Sequence, residues 1–408
     1  MRFEQTQLDN GLSIIAEVNP AAASMAAGFF VRTGSRDEAP QISGVSHFLE
    51  HVVFKGTARR SAIEVNREFD EIGAINNAFT SEENTVYYGA VLPEHQTRLL
   101  DLLGDILRPA LRQEDFDVEK EVILEEIARC QDDPGYRLFE KLMAEYFRGH
   151  PLGQEVLGTA QSVAALRRED MQAYFERRYS PGNVLLVGVG KLDFAALADK
   201  AHEMCSRWPR HEVSREIRPA PGRTGQHVVA DARLAREHVG LMSPAPSAQD
   251  ADRYAAQLLA TVVGDATGSR LFYALVHPAI ADEAGMSYDA MDHAGAFVTS
   301  LCASPDRAAE ALRITRDELW RFQDAGPTEA ELQAAKNKIA SGATRTGEVP
   351  MGRLSAVGFD WVYRGQYVPL PEQIEALFAV GPEDVLSVAR TCDLTATVTL
   401  ALGPLERL

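Results

Sequence analysis

The sequence predicts an α+β protein built from two similar domains, each with a mainly antiparallel sheet packed against helices. The chain has 408 residues, a length that usually divides into two or more domains. Stretches of strand composition and stretches of helical periodicity follow in the same order in both halves, which indicates a weak internal duplication. Between the halves, residues 215–226 hold two prolines, two glycines and several charges, which is typical of a linker. We therefore expect domains at 1–214 and 227–408.

The sequence of the first half predicts strands, then helices, further strands, further helices and a closing strand. Apolar, β-branched and aromatic stretches bounded by Asn-Gly and Gly-Ser turns indicate the strands. A periodic stretch that begins at Ser61 and ends at Gly73 indicates a helix. The predicted strands are 12–18, 25–34, the strand-rich segment 76–92, and 179–190. The predicted helices are 44–54, 61–73, about 93–146 with a break near 132–135, and about 161–178.

After the linker the same order begins again. The predicted strands are 227–232, 238–244, a strand-rich stretch around 294–304, and 395–403. The predicted helices are 250–264, 306–323 and 328–343. The helix at 250–264 corresponds in order to the helix at 44–54, but it carries no histidines. The second domain is therefore predicted to resemble the first without having a metal site.

The composition is ordinary for a globular protein, with 45% hydrophobic and 25% charged residues. The formal net charge of −18 disfavours nucleic acid and anionic membrane surfaces as partners. The four cysteines lie far apart without CxxC spacing, so neither a disulfide framework nor a cysteine zinc site is indicated. No secretory signal or membrane-spanning apolar run is visible, so we expect a soluble, cytoplasmic protein.

The pentapeptide HFLEH at residues 47–51 carries the first chemical signal. On a helix, residues three and four apart share a face, so His47, Glu50 and His51 project together. Two neutral imidazoles can bind one Zn²⁺, and the carboxylate beside them can take a proton from the attacking water. The order HxxEH is the inverzincin signature. The alternative is a helix whose histidines only pack, although a buried glutamate without a metal or partners is costly.

A catalytic zinc needs a third protein ligand, and the acidic segment 115–130 is the best source. Glu119 and Glu126 are seven residues apart, nearly two helical turns, so they share a face. Glu121 and Glu125 form a second aligned pair. Spacing alone does not choose between the two pairs, and a solvated helix face explains the charge run equally well.

With these residues in place, the sequence resembles the pitrilysin-type (inverzincin) zinc metallopeptidases, and among them bacterial relatives of the mitochondrial processing peptidase subunits. The resemblance spans roughly residues 8–190 and is specific, because several stretches match in the family's order. They are GVSHFLEHVVFKGT, GAINNAFTSEENTVYY, EKEVILEEI, HPLGQEVLGT and YSPGNVLLVGVG. The second half is more loosely similar, through GSRLFYAL and its order of elements.

The resemblance assigns roles that spacing left open. It selects Glu126 as the third zinc ligand and Glu119 as an acidic group that supports a ligand and tunes the metal. His47, His51 and Glu126 are then expected to hold one Zn²⁺ per chain. Glu50 is expected to activate the water that attacks the peptide carbonyl.

The resemblance also implies substrate-binding residues. Asn77, Ala78 and Phe79 match the family's edge strand, to which an extended peptide adds through main-chain hydrogen bonds. The alternative for these three residues is a plain sheet strand. Family members place an arginine and a tyrosine from the C-terminal domain over the scissile carbonyl, where they stabilise the oxyanion. Tyr288 matches the tyrosine, but the position of the arginine holds Ala281.

What the resemblance implies is a zinc-dependent endopeptidase that hydrolyses short or unfolded peptides. Family members of this half-length architecture pair two chains into a clam-like chamber, so a homodimer, or a heterodimer with a related subunit, is implied. The rival interpretation is a non-catalytic or weakly active subunit of the same fold that serves as a scaffold or binds peptide. Ala281 favours that rival, whereas the intact HFLEH and Glu126 argue against it.

Overall fold

The computed structural model describes all residues 1–408, which form eleven strands and fourteen α-helices. The strands are β1 (Arg2–Gln7), β2 (Ser13–Val18), β3 (Met25–Val31), β4 (Ile75–Thr80), β5 (Thr85–Val91), β6 (Val184–Gly190), β7 (Gly225–Ala230), β8 (Glu237–Pro244), β9 (Glu283–Met291), β10 (Ala294–Ala303) and β11 (Val398–Gly403). The helices of the first half are α1 (Val45–Val52), α2 (Ala62–Glu71), α3 (Gln96–Ile106), α4 (Gln113–Cys130), α5 (Pro134–Tyr146), α6 (Ala160–Ala165), α7 (Arg168–Arg178) and α8 (Phe194–Cys205). The helices of the second half are α9 (Arg253–Gly264), α10 (Pro305–Ala325), α11 (Glu329–Gly347), α12 (Pro350–Arg364), α13 (Leu370–Ala379) and α14 (Pro382–Cys392).

The first sheet has six strands in the order β1-β2-β6-β3-β5-β4. Its neighbours are antiparallel except for β2 and β6, which run parallel. The central strands β3 and β6 are buried along their whole length, as their apolar sequences predict. Strand β4 lies at an edge and pairs only with β5, so its other side has no neighbouring strand.

The second sheet repeats this topology with five strands in the order β7-β11-β8-β10-β9. Its parallel pair, β7 and β11, occupies the place of β2 and β6, and the other pairs are antiparallel. The order and direction of the strands therefore confirm the α+β class and the internal duplication predicted from the sequence. The first sheet differs by one extra edge strand, β1.

Packing divides the chain into two compact units that differ from the predicted boundaries 1–214 and 227–408. The first unit contains 1–128, 154–216 and 344–368, and the second contains 129–153, 217–343 and 369–408. Each half of the chain thus contributes one helical segment to the other unit. The predicted linker 215–226 has neither helix nor strand before Gly225. At its start, the side chain of Arg215 is only 7% exposed and pairs with Asp37 of the first unit at 2.7 Å.

The helix that the first half contributes to the second unit is α5. Its buried side chains Leu138 and Leu142 pack in one cluster with Met242 and Leu400 of the second sheet. At Gly240 a Cβ would lie 2.9 Å from Leu142, so the missing side chain lets the helix approach the sheet closely. Burial of this apolar face explains why the segment leaves the unit that its place in the sequence suggests.

The helix that the second half contributes to the first unit is α12. Its residues Leu354 and Val357 pack with Phe30 and Val187 on one face of the first sheet. A Cβ at Gly358 would lie 2.2 Å from the ring of Phe30, so only glycine allows this close contact. The opposite face of the same sheet carries the largest apolar cluster, which includes α1, α3 and α4.

Several elements differ from those predicted. The helix expected at 161–178 is two helices, α6 and α7, because Leu166 and Arg167 have extended backbones. Leu166 is buried, and its carbonyl accepts a hydrogen bond from Lys120 at 2.7 Å, which stabilises the break. The region 93–146 is also broken between α3 and α4. Strands β1 and β9 and helices α8, α12, α13 and α14 were not predicted.

None of the helices combines the length and the apolar composition needed to cross a membrane.

Candidate metal centre

The start of α1 is held by unusual local structure. Gly44 has a φ of 92°, and a Cβ there would lie 2.5 Å from the carbonyl oxygen of Leu157. The buried carboxylate of Glu38 accepts hydrogen bonds from the backbone N–H groups of Gly44 (2.6 Å) and Ser46 (2.7 Å). Burial raises the pKa of Glu38 to about 8, although these backbone bonds lower it. The carboxyl group thereby satisfies N–H groups that have no partner inside the helix.

One face of α1 is anchored in the core. Phe48, Leu49 and Val52 are buried, and the ring of Phe48 stacks on Phe116 of α4 with centroids 4.7 Å apart. The stacking brings α1 alongside the acidic helix, which is 18 residues long. The histidines of α1 and the carboxylates of α4 can therefore meet, although they are far apart in the sequence.

His47, His51 and Glu126 converge. Each offers a ligand atom, and these atoms all lie within 4.8 Å of one another. The Oε2 atom of Glu126 lies 3.8 Å from Nε2 of His47 and 3.4 Å from Nε2 of His51. A tetrahedral zinc ion with bonds of about 2.1 Å separates its ligand atoms by about 3.4 Å. The spacing of the three groups is therefore close to that of a zinc site.

The other aligned carboxylate pair of α4 is not part of this cluster. Glu121 and Glu125 are exposed, whereas Glu119 is buried and Glu126 is half-buried. The alternative of a fully solvated charge run therefore holds for one face of α4 only. The face that carries Glu119 and Glu126 is directed towards α1.

The protonation of His47 fits a metal ligand. Burial, followed by the nearby imidazole of His51, lowers the pKa of His47 to about 4, so the ring is neutral at pH 7. Neutral imidazole is the form that binds zinc. The Nδ1 atom of His47 is buried and has no hydrogen-bond partner. No structural hydrogen bond at Nδ1 therefore explains why this histidine is buried. Two imidazole nitrogens and one carboxylate oxygen form the donor set that zinc prefers in a catalytic site.

Glu119 lies behind His51 rather than within the cluster. Its Oε2 atom is 3.3 Å from Nδ1 of His51, and its Oε1 atom is 2.5 Å from Nζ of Lys55. Burial raises the pKa of Glu119, but the bonds from His51 and Lys55 outweigh it and hold the pKa below its usual value. The carboxylate therefore keeps the proton of His51 on Nδ1 and leaves Nε2 free to bind a metal.

Glu50 projects beside the histidines on α1. Its Oε2 atom accepts a hydrogen bond of 2.6 Å from the hydroxyl of Thr80, the last residue of β4. Burial raises the pKa of Glu50, whereas the bond from Thr80 lowers it. His51 and Glu126 are close enough to influence the same pKa, which places Glu50 next to the candidate metal site.

The predicted substrate-binding residues lie in the edge strand β4. Asn77 is exposed, and its Oδ1 atom accepts a hydrogen bond from the N–H of Ala78 at 2.9 Å. Phe79 is half-buried and packs near Tyr88 and Phe359, with ring centroids 6.2 Å apart in both cases. The strand ends at Thr80, the residue that contacts Glu50. Its role in binding peptide stays a prediction.

Tyr288 lies on β9 in the second unit. Its hydroxyl donates to the carbonyl oxygen of Pro246 at 2.9 Å. Ala281 is buried and belongs to the apolar core of the same unit. The role of Tyr288 in stabilising an oxyanion stays a prediction.

Two residues of the site were missed by the sequence reasoning. Lys55 follows His47 and His51 at intervals of four residues, so helical spacing was a signal that could have placed it on the same face. Thr80 offered no such signal, because its contact with Glu50 joins residues 30 positions apart. Only the packing of β4 against α1 brings these two side chains together.

Comparison with known families gives two adjacent matches. The family described as Insulinase (Peptidase family M16) matches residues 13–160, which contain the whole candidate metal centre. The Peptidase M16 inactive domain matches residues 165–339.

Relatives are similar along nearly the whole chain. An uncharacterized zinc protease of Mycobacterium tuberculosis (strain H37Rv) is 32% identical over 98% of this chain and 93% of its own length. An uncharacterized zinc protease of Bacillus subtilis is 29% identical over 93% of both chains.

Solved structures share the fold. A protease from Helicobacter pylori superposes with a TM-score of 0.92 at 20% identity, covering 99% of both chains. A structure described as the peptidase M16 inactive domain from Pseudomonas fluorescens superposes with a TM-score of 0.91 at 17% identity, covering 100% of this chain and 99% of the other. At these identities the likeness concerns the fold alone.

Proposed function

Because the chain belongs to peptidase family M16, we propose that it is a zinc-dependent endopeptidase that hydrolyses short or unfolded peptides. The observation that carries the proposal is the convergence of His47, His51 and Glu126 within 4.8 Å. The relatives described as zinc proteases support the same metal and the same class of reaction.

The residues of the metal centre have separate proposed roles. His47, His51 and Glu126 would hold one Zn²⁺ per chain, and the ion would supply Lewis-acid polarisation of the peptide carbonyl and of the attacking water. Glu50 takes the proton of that water on its carboxylate and passes a proton to the leaving amine nitrogen. Burial raises the pKa of Glu50, which makes its carboxylate a stronger base towards that water.

The edge of β4 supports an extended substrate. Its outer side has no neighbouring strand, so a peptide can add to the sheet through main-chain hydrogen bonds. Recognition of the main chain requires an unfolded segment and makes little demand on its sequence. We propose that Asn77, Ala78 and Phe79 align the peptide beside Glu50, which contacts the end of the same strand.

The finer assignments rest on the family resemblance. Tyr288 is proposed to stabilise the oxyanion when two chains pair, as a homodimer or with a related subunit, and the expected location is cytoplasmic. A second candidate function is a weakly active or scaffolding subunit that binds peptide. Ala281, which replaces the arginine of related enzymes, favours that candidate, because one donor to the oxyanion is then missing.

Hydrolysis of a quenched, unstructured peptide by the purified chain tests the proposal, with the mass of the protein measured in solution. We expect cleavage that a chelator abolishes and that added zinc restores. Glu50→Gln should abolish cleavage while zinc content stays at one per chain, and Glu126→Gln should lower zinc content. Full cleavage by Glu50→Gln would contradict the assignment of the base. Peptide binding with zinc present but without cleavage would favour the scaffold.

A further inference from the structure

Thr80 occupies a special place between the edge strand and the base. It is the last residue of β4, and its main chain pairs with Thr85 of β5. Its hydroxyl donates a hydrogen bond of 2.6 Å to Oε2 of Glu50. A bond of this length from a hydroxyl to a carboxylate is among the stronger hydrogen bonds in proteins. The strand proposed to align the peptide is thus joined directly to the carboxylate proposed to move the proton.

The turn that follows Thr80 is held firmly. The N–H of Ser81 donates to the carbonyl of Asn84 at 2.8 Å, and the N–H of Asn84 donates to the Ser81 hydroxyl at 3.1 Å. Glu83, in the middle of this turn, is buried and forms an ion pair with the equally buried Arg36. The turn therefore has little freedom to move, and the position of the Thr80 hydroxyl is fixed with it.

Helix α12 adds a further support to the same turn. The hydroxyl of Tyr363 donates to Oε2 of Glu83 at 3.0 Å and accepts from Nδ2 of Asn84 at 2.9 Å. Phe359 of the same helix packs near Phe79, the residue before Thr80. The hydroxyl that meets Glu50 is thus backed by an ion pair, a tyrosine and an aromatic contact within one compact unit.

We propose that Thr80 is a positioning residue for the reaction: its hydroxyl holds Oε2 of Glu50 and thereby directs Oε1 to the proton that Glu50 must take. The inference rests on the proposed peptidase function. Without the hydroxyl, the Glu50 carboxylate can rotate about its terminal torsion, which is broad for a glutamate. A small misplacement of a catalytic group costs up to about 100-fold in rate.

The test compares Thr80→Val, which removes the hydroxyl but keeps the β-branched shape, with Thr80→Ser, which keeps the hydroxyl. We expect Thr80→Val to lower kcat by about 10- to 100-fold with little change in KM. Thr80→Ser should restore most of kcat. Zinc content should stay at the wild-type level in both variants, because neither substitution touches a ligand.

Thr85→Val is the matched control. It removes the same type of hydroxyl from the residue that pairs directly with Thr80, where the hydroxyl donates to the Thr33 carbonyl at 2.9 Å. This variant should lose stability without a comparable loss of kcat. The control therefore separates a structural defect of the hairpin from a defect in the position of Glu50.

A second measurement does not depend on turnover. A blocked dipeptide hydroxamate would bind through a zinc ion held by His47, His51 and Glu126, and it would donate a hydrogen bond to Glu50. Its Kd should rise about tenfold in zinc-loaded Thr80→Val and return towards the wild-type value in Thr80→Ser. The hydroxamate readout decides the inference even if the wild-type chain binds zinc but does not cleave peptide.

Unchanged kcat and hydroxamate affinity in Thr80→Val would overturn the inference while leaving the peptidase proposal intact. A rise in KM alone would also overturn it, because Thr80 would then contact substrate rather than position Glu50. Failure of Thr80→Ser to recover activity would do the same. Absence of zinc binding in the wild-type chain would remove the proposed function, and the inference with it.

Discussion

The Nδ1 atom of His51 lies 3.3 Å from Oε2 of Glu119, and the other carboxylate oxygen of Glu119 is 2.5 Å from Lys55. Lys55, Glu119 and His51 thus form a chain of polar contacts that ends at a candidate zinc ligand. The buried carboxylate fixes the tautomer of His51, and the lysine keeps that carboxylate ionised.

Glu119→Gln tests whether these contacts support zinc binding. The neutral amide has one oxygen instead of the two carboxylate oxygens that contact His51 and Lys55, and it carries no negative charge. The charge-assisted bond that orients His51 is therefore lost. We expect zinc affinity to fall by about 10- to 100-fold. Competition with a chromogenic chelator measures the affinity directly. Glu121→Gln, on the exposed face of the same helix, is the control and should bind zinc as the wild type does.

Removal of the metal should lower thermal stability. Zinc binds the folded chain, in which His47, His51 and Glu126 converge, and the unfolded chain does not hold them together. At a free zinc concentration about 100 times the Kd, the linkage contributes about 2.7 kcal/mol. Thermal scans with zinc and with chelator should therefore show a lower Tm without the metal. In Glu126→Gln the two scans should differ much less.

The buried ion pair between Arg353 and Glu17 provides a test of how α12 is held. Both side chains are almost fully buried, at 3% and 2% exposure, and the shortest distance between them is 2.8 Å. Tyr367 also donates to Glu17 at 2.7 Å. Arg353→Met leaves the carboxylate buried without its cation, so we expect a loss of about 3–5 kcal/mol in the free energy of unfolding.

The double variant Glu17→Gln/Arg353→Met removes the uncompensated charge as well. It should be less destabilised than Arg353→Met alone, because the main cost is the unpaired charge rather than the lost attraction. Urea unfolding of the wild type and both variants measures the difference. Equal stability of Arg353→Met and the wild type would mean that the pair does not hold α12.

A bidentate ion pair in the second unit predicts a stability that depends on pH. Arg270 donates to both oxygens of Glu331, at 2.8 and 2.9 Å, and to the carbonyl of Gly326 at 2.8 Å. Burial raises the pKa of Glu331, but the bonds from Arg270 outweigh it and lower the pKa to about 2. A lowered carboxyl pKa contributes stability above the usual value near 4.5, and the contribution is lost as pH falls towards 2.

Glu331→Gln should therefore be less stable than the wild type by about 1 kcal/mol at pH 7, a value that allows for partial exposure of the pair. The difference should shrink as the pH is lowered below about 4.5. Denaturant unfolding at a series of pH values measures it. Arg270→Lys keeps the charge but loses the bidentate geometry, so its free energy of unfolding should lie between those of the wild type and Glu331→Gln. A constant difference at all pH values would contradict the assignment.

Most of the first half could be predicted from the sequence, since its elements depend on local patterns. The helix predicted from Ser61 to Gly73 is confirmed as α2. Ser61 caps its start through a capping box with Glu64, and Gly73, whose φ is 61°, follows its end. The predicted helix at 161–178 was wrong, because its break at Leu166 is stabilised by Lys120, which lies 46 residues away in the sequence. The helices of residues 350–392 were missed, and the structure divides them between the units, α12 in the first and α13 and α14 in the second.

The sequence by itself determined the local chemistry: an HxxEH helix, an acidic helix and a repeated order of elements. Helical periodicity places His47, Glu50 and His51 on one face whatever the rest of the chain does. Only the tertiary structure brought Glu126 rather than Glu121 or Glu125 to the histidines, exchanged α5 and α12 between the units, and joined Thr80 to Glu50. The reason is physical: periodicity depends on neighbours along the chain, whereas contacts between distant segments depend on how their apolar surfaces pack.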